Sequence, residues 1–435
     1  MVSTFRAAVV LSVAICLAGS PAAIGQTLPT AKPEEVGLSS SRLARLTDVL
    51  KDNIAKGEIP GAVLLVARNG RIAYFESLGQ LDPQAKTPMR KDAIFRIYSM
   101  SKPITTVAAM MLFEDAAFTL ADPIGKYLSS LAKMQVAIDN KPDSEDDPSK
   151  LTLVPAAKPI SIQDLLRHTS GLTYGFFGTT PVKKLYAQAK LGDPTQTNEE
   201  FVERIAKLPL SYQPGTIWDY SMSTDVLGRM IEVISGKTLY AFEKEKILDP
   251  LGMKETSFYV TDPSRQARIA EPLPSDRGAT LSDPRVEGKW EAGGQGMVST
   301  ALDYALFLQM LLNGGELDGK RILGPKTVAY MTTDHLSESM QSGPYYLPGP
   351  GYGFGLGVAV RRDLGGPSVN GSVGDYNWGG AGGTGFWVDP KERMFVVLMM
   401  QAPSQRLRYR AIVRDMVYAA INQDAAAPRG PMDRQ

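Results

Sequence analysis

The chain has 435 residues, 47 Lys+Arg against 46 Asp+Glu, and 43% hydrophobic residues. This is the composition of a folded globular protein, and the length exceeds what one small core serves. A formal net charge of +1 with no basic block argues against a nucleic-acid partner, and the single cysteine, Cys16, rules out a disulfide framework.

In chain order, residues 1–6 carry one positive charge and residues 7–18 form an apolar run too short to span a bilayer. Ala23-Ile24-Gly25 supplies small residues of the kind signal peptidase prefers. Residues 1–25 therefore read as a cleaved signal peptide, and the protein is expected to be periplasmic or secreted. Cys16 leaves with that segment and Ile15 precedes it, so no lipid anchor is expected. No later apolar run reaches membrane-spanning length, so no stable membrane anchor is expected either.

Residues 39–55 then predict an amphipathic helix with Leu43, Leu46, Val49 and Leu50 on one face. Residues 62–67 and 72–75 flank Asn69-Gly70, a strong two-residue hairpin signal. The middle of the chain reads as helical, with periodic segments at 105–117, 162–167, 198–206 and 223–234. Residues 139–157 and 340–353 read as loops, rich in polar, Pro or Gly residues, that shape a pocket. Residues 385–388 and 394–400 form a second hairpin, followed by a helix over 406–421. Residues 426–435 read as a disordered tail. The expected fold is α/β in the α+β sense: an antiparallel sheet from both chain ends (about 26–100 and 285–425), flanked by helices, with a helical region (about 101–284) inserted.

The chemistry centres on Tyr98-Ser99-Met100-Ser101-Lys102-Pro103. Residues three apart on a helix share a face, so Ser99 and Lys102 meet if a helix starts there. A serine hydroxyl becomes nucleophilic only when a neighbour takes its proton. The apolar run at 106–113 predicts a central helix and hence a desolvated Lys102 at its head. A histidine-based triad is poorly supported. Only His168 and His335 exist, and no Gly-x-Ser-x-Gly elbow occurs. His168 sits at an expected helix end, where a ring more often binds backbone carbonyls. Two isolated histidines make no metal site, and no cofactor is expected. Gly236-Lys237-Thr238 lacks the earlier glycine of a phosphate loop, and Gly380-Ala381-Gly382-Gly383-Thr384-Gly385 runs into a strand rather than a helix. Tyr220, after a Pro214-Gly215 turn and just before a helix, is a candidate base or a plain core tyrosine.

Four segments together resemble the serine β-lactamase and penicillin-binding-protein superfamily: Ser99-Met100-Ser101-Lys102, His168-Thr169-Ser170-Gly171-Leu172, Tyr220-Ser221-Met222 and Trp378-Gly379-Gly380. The stretch Gly293 to Thr300 adds to the likeness, which is greatest to the class C β-lactamase-like carboxylesterases of family VIII. The resemblance implies Ser99 as acyl-forming nucleophile and Lys102 with Tyr220 in proton transfer. It implies an oxyanion hole from the backbone N–H groups of Ser99 and Ala381. Trp378, Gly379, Gly380 and Met222 would border the substrate. Met222 stands where β-lactamases usually place an asparagine, and Trp378 where they place a cation or imidazole. Both changes favour neutral esters, with short acyl chains expected. The alternatives are a β-lactamase, D-amino-acid peptidase or cyclic-amide hydrolase with the same site, or a non-catalytic module that recognises a small ligand. The expected partner is a small-molecule ester or amide.

Overall fold

In the computed structural model, residues 28–141 and 148–422 are described. The segments read as signal peptide and C-terminal tail lie outside them. The central element is an eight-stranded antiparallel sheet. In chain order its strands are β1 (Gly61–Arg68), β2 (Arg71–Asp82), β3 (Thr87–Pro88), β4 (Tyr352–Phe354), β5 (Ala359–Arg361), β6 (Tyr376–Gly379), β7 (Gly385–Asp389) and β8 (Met394–Met399). Across the sheet the order is β4-β5-β6-β7-β8-β1-β2-β3. The two ends of the chain thus meet at the β8–β1 pair, where Val63 faces Met399 and Arg68 faces Met394.

Local chemistry explains the two hairpins. Between β1 and β2, Asn69 (φ 55°) and Gly70 (φ 74°) both take left-handed backbone, the geometry whose twist matches paired strands. β1 is buried nearly throughout because both sheet faces are covered. Its even residues, Ala62, Leu64 and Val66, pack with Leu43, Leu46 and Leu50 of α1 (Ser40–Ala55). Tyr409, Val413 and Val417 of the C-terminal helix join the same layer. Its odd residues, Val63 and Leu65, join the larger core on the other face. That period of two is what a strand imposes. Ser39 caps α1 by accepting from Arg42 N at 3.3 Å, and Val49 is only half-buried at the edge of the apolar face.

The larger core holds α2 (Ser101–Glu114), in which eleven residues are buried, including Lys102. Beside it stand α3 (Ile162–Leu166), α4 (Ser223–Ser235) and α5 (Ala301–Leu312). The last helix among the described residues is α6 (Arg406–Ala419). The helix expected over 198–206 is present as Asn198–Ile205, capped by Thr197. The segment expected as a loop over 139–157 is not all loop: its Leu153–Pro155 is a short strand paired antiparallel with Gln135–Ala137.

Candidate active site

Ser99 does not begin the helix, as the sequence pattern suggested. It sits in a 3-10 turn, Tyr98–Met100, and α2 starts two residues later at Ser101. Tyr98 has φ 44°, a conformation that costs a bulky residue energy and is held only where its surroundings enforce it. The enforcement is visible. Met100 N donates to Ile97 O at 3.0 Å, and Ile97 N to Met297 O at 3.0 Å. Tyr304 Oη donates to Met100 O at 2.9 Å. Ser101 Oγ accepts from Met297 N at 3.1 Å, and Tyr98 Oη accepts from Ser282 N at 2.9 Å. Ser99 is therefore presented half-buried on a turn fixed from both sides.

Lys102 is wholly buried. Three acceptors surround its Nζ: Gly294 O at 2.7 Å, Tyr174 Oη at 3.1 Å and Ser99 Oγ at 3.5 Å. Its Nζ also lies 4.6 Å from the centre of the Tyr220 ring. Burial raises the Tyr174 phenol well above its ordinary range, with Asp225 and Tyr220 adding to the effect, so Tyr174 stays a neutral hydroxyl. Asp225, on α4, accepts from Gly294 N at 3.0 Å. Burial pushes its carboxyl up to about 6, while Lys102 and that N–H pull the other way.

Tyr220 reaches the site from the segment before α4. Trp378 Nε1 donates to Tyr220 Oη at 3.2 Å, tying the end of β6 to the tyrosine. The His168 segment supports this from behind. His168 O accepts from Asp219 N at 3.0 Å, and Ser170 Oγ bonds Ser223 Oγ at 2.8 Å. The His168 ring does not bind backbone carbonyls as its position suggested. Its Nδ1 lies 3.1 Å from Ser221 Oγ, and its ring centre lies 4.9 Å from that of Tyr220, the planes tilted by 59°. Burial, then Lys102, holds its pKa well below 6.5, and its ring packs against Tyr220. His335 is bonded to Tyr330 O at 2.8 Å and does not line either cavity described below.

Ser99, Tyr220, Trp378, Gly379, Gly380 and Ala381 all border one cavity of about 310 Å³. Gly380 has to be glycine, because a Cβ there would lie 2.3 Å from Ile97 O, just before the nucleophile turn. Arg410 of α6 fixes the following loop, donating to Gly380 O at 2.5 Å and Thr384 O at 2.6 Å. Burial, then Arg406, lowers its pKa to about 10. Met222 is not in this group. It lines a second cavity of about 720 Å³, with Tyr98 and Tyr174. Of the two loops expected to shape the pocket, 340–353 contributes Leu347 and Pro348, whereas none of the described residues of 139–157 borders either cavity. Among the described residues, no cluster of His, Cys, Asp and Glu suits a metal ion, and no helix is long and apolar enough to cross a membrane.

Tyr174, Asp225 and Arg410 are absent from the sequence-derived site. Tyr174 lies two residues past the His168-Thr169-Ser170-Gly171-Leu172 motif, but it is one of 17 tyrosines. Nothing local marks Arg410, whose partners are 26 and 30 residues away.

The Beta-lactamase family model matches residues 46–418. Protein Rv1367c of Mycobacterium tuberculosis is 36% identical over 362 residues, 79% of this chain and 86% of the relative. The lovastatin esterase of Penicillium rubens is 31% identical over 379 residues, 80% of this chain and 90% of the relative. The solved structure of EstCE1, described as a hydrolase with promiscuous acyltransferase activity, superposes with a TM-score of 0.71 at 30% identity. That match covers 87% of this chain and 98% of the other. Esterase and acyltransferase relatives support a serine hydrolase or acyl-transfer enzyme. The chain belongs to the beta-lactamase family, within the serine β-lactamase and penicillin-binding-protein superfamily.

Proposed function

We propose that the protein hydrolyses carboxylic esters through an acyl-enzyme on Ser99. One observation carries the reading: a wholly buried Lys102 lies 3.5 Å from Ser99 Oγ and 4.6 Å from the Tyr220 ring, with Ser99 and Tyr220 on one cavity. In the proposed reaction Ser99 Oγ attacks the ester carbonyl and loses its proton to the Lys102–Tyr220 pair. The N–H groups of Ser99 and Ala381 receive the oxyanion. The intermediate collapses, the C–O bond to the alcohol breaks, and the pair returns the proton to the departing oxygen. Water then repeats the sequence on the acyl-enzyme and frees the acid.

The lining favours a neutral ester over a carboxylate-bearing lactam. Phe177, Leu347, Pro348, Trp378 and Leu407 give the cavity apolar walls. Arg410 and Arg414 spend donors on Gly380, Thr384, Asn370 and Asp375. Arg406, half-buried and bonded to Pro403 O, is the cation left at the rim. The same apolar walls favour a second reading, transfer of the acyl group to an alcohol in place of water, and the promiscuous acyltransferase activity of EstCE1 supports it. The apolar run at 7–18 supports export, and N-terminal sequencing of the mature protein is expected to begin at Gln26.

Turnover of p-nitrophenyl acetate, of nitrocefin and of a D-amino-acid amide by purified wild type and Ser99→Ala tests the reading. The expected result is ester cleavage that Ser99→Ala abolishes. Lactam or amide turnover exceeding ester turnover would move the substrate class, and unchanged ester cleavage by Ser99→Ala would end the mechanism.

A further inference from the structure

Resting on the ester reading above, we infer that the 720 Å³ cavity is the acyl chamber and that the acyl group this enzyme takes is large and apolar. The reaction centre stands between two spaces. The smaller holds Ser99, Tyr220 and Ala381 on its wall. The larger is bordered by Tyr98, which precedes the nucleophile, by Tyr174, which bonds Lys102, and by Met222, two residues after Tyr220. Adjacent aromatics divide the two: Phe176 lines the larger and Phe177 the smaller, their rings 4.7 Å apart.

The chemistry decides which half of an ester goes where. The departing alkoxide needs a proton from the Lys102–Tyr220 pair as its bond to carbon breaks. Tyr220 borders only the smaller of these two cavities, and its Oη is held there by Trp378. The oxyanion donor Ala381 borders the same space. The alcohol half and the oxyanion therefore occupy the smaller cavity. The remaining substituent of the tetrahedral carbon, the acyl chain, is directed past Tyr98 and Met222 into the larger.

That chamber is apolar within and polar at its rim. Tyr186, Leu191, Met222, Phe258, Trp290 and Met297 are all buried and line it. Arg96 also lines it, but its guanidinium is spent on Ser282 O, Ala270 O and Glu271. The other charged lining residues, Lys190, Asp283 and Glu287, are exposed. Nothing inside offers a charge to a polar acyl group. Size excludes a short one as the best fit. An acetyl group occupies on the order of two water volumes of ~30 Å³ each. A cavity of about 720 Å³ would remain almost empty around it, forfeiting the contacts that drive apolar binding. The inferred acyl group is a bulky aromatic, branched or polycyclic acid, in contrast to the short chains expected from the sequence.

The test keeps the leaving group fixed. p-Nitrophenyl esters of acetic, butyric, octanoic, cyclohexanecarboxylic and 2-naphthoic acids are compared by kcat/KM, beside phenyl and 1-naphthyl acetate as a series in the alcohol half. The expected result is at least a ~10-fold gain from acetate to the best bulky acyl ester, exceeding any gain in the alcohol series. Val286→Trp, at an exposed position on the mouth of the larger cavity, lowers the ratio of bulky-ester to acetate kcat/KM several-fold. Acetate preferred over every longer acid, or a larger gain in the alcohol series, overturns the assignment while leaving the ester reading intact. Absence of any Ser99-dependent ester cleavage overturns both.

Discussion

The bond from Trp378 Nε1 to Tyr220 Oη gives the sharpest test of how the site moves protons. Both residues are almost fully buried, at 8% and 5% exposure, and the bond is 3.2 Å long. Indole is a donor only, so the tyrosine oxygen accepts. Trp378→Phe deletes the donor and keeps an aromatic ring against Tyr220, whose centre lies 5.3 Å from that of Trp378. If Tyr220 oxygen carries negative charge in the transition state, the lost bond is one to a charged group, worth about 1.5–3 kcal/mol. At about 1.36 kcal/mol per decade this is a fall in kcat/KM of roughly 10- to 150-fold. If Tyr220 remains a neutral spectator, the bond strengthens little on the way to the transition state, and the rate is nearly unchanged. The assay is p-nitrophenyl acetate hydrolysis across pH, with circular dichroism and thermal melting to confirm the fold. A folded Trp378→Phe enzyme that loses less than about 3-fold would refute a charge-bearing Tyr220 oxygen.

Gly380→Ala places a methyl 2.3 Å from Ile97 O and 2.5 Å from Thr384 Oγ1. It is expected to lower kcat at least ~10-fold by displacing Ala381, at about 1–3 kcal/mol of stability read by urea denaturation. Asp225, raised by burial to about 6, keeps a proton in the native state that the unfolded chain releases near 4. Native protein then binds more protons than unfolded protein between about pH 4 and 6, so this group lowers stability as pH rises through that window, by on the order of 3 kcal/mol. Asp225→Asn should flatten the denaturant midpoint between about pH 4.5 and 7 relative to wild type. Lys183 and Asp219 form a buried pair at 3.3 Å, both shifted toward neutrality by burial. Lys183→Met should cost about 3–5 kcal/mol by stranding Asp219, and Lys183→Met with Asp219→Asn should recover most of it; equal losses would refute this pairing.

What could be read from residue order was local. Asn69-Gly70 announced a hairpin because left-handed backbone at both positions needs such residues. The apolar run at 106–113 announced a central helix, and burial of Lys102 followed from its place at the head. Ser99 and Lys102 meet as their spacing suggested, and Tyr220 and Trp378 join them as the family resemblance implied, although Ser99 stands on a strained turn ahead of the helix. What stayed hidden depends on long-range packing. Tyr174 and Asp225 gain meaning only from their bonds around Lys102 and Gly294. Arg410 acts on carbonyls that the sheet brings to it. His168 looked like a helix terminus; only the fold shows its ring against Tyr220. The size of the cavity beside Met222 is likewise a property of how 174–195 and 282–298 pack, not of any motif in them.

The claim at the centre is that Ser99 becomes acylated. Intact-mass and peptide-level mass spectrometry of the protein after a fluorophosphonate probe tests it most directly. One adduct per chain on the peptide holding Ser99, absent from Ser99→Ala and slowed by Lys102→Met, is the predicted result. No adduct, or an adduct on another residue that survives Ser99→Ala, would contradict it.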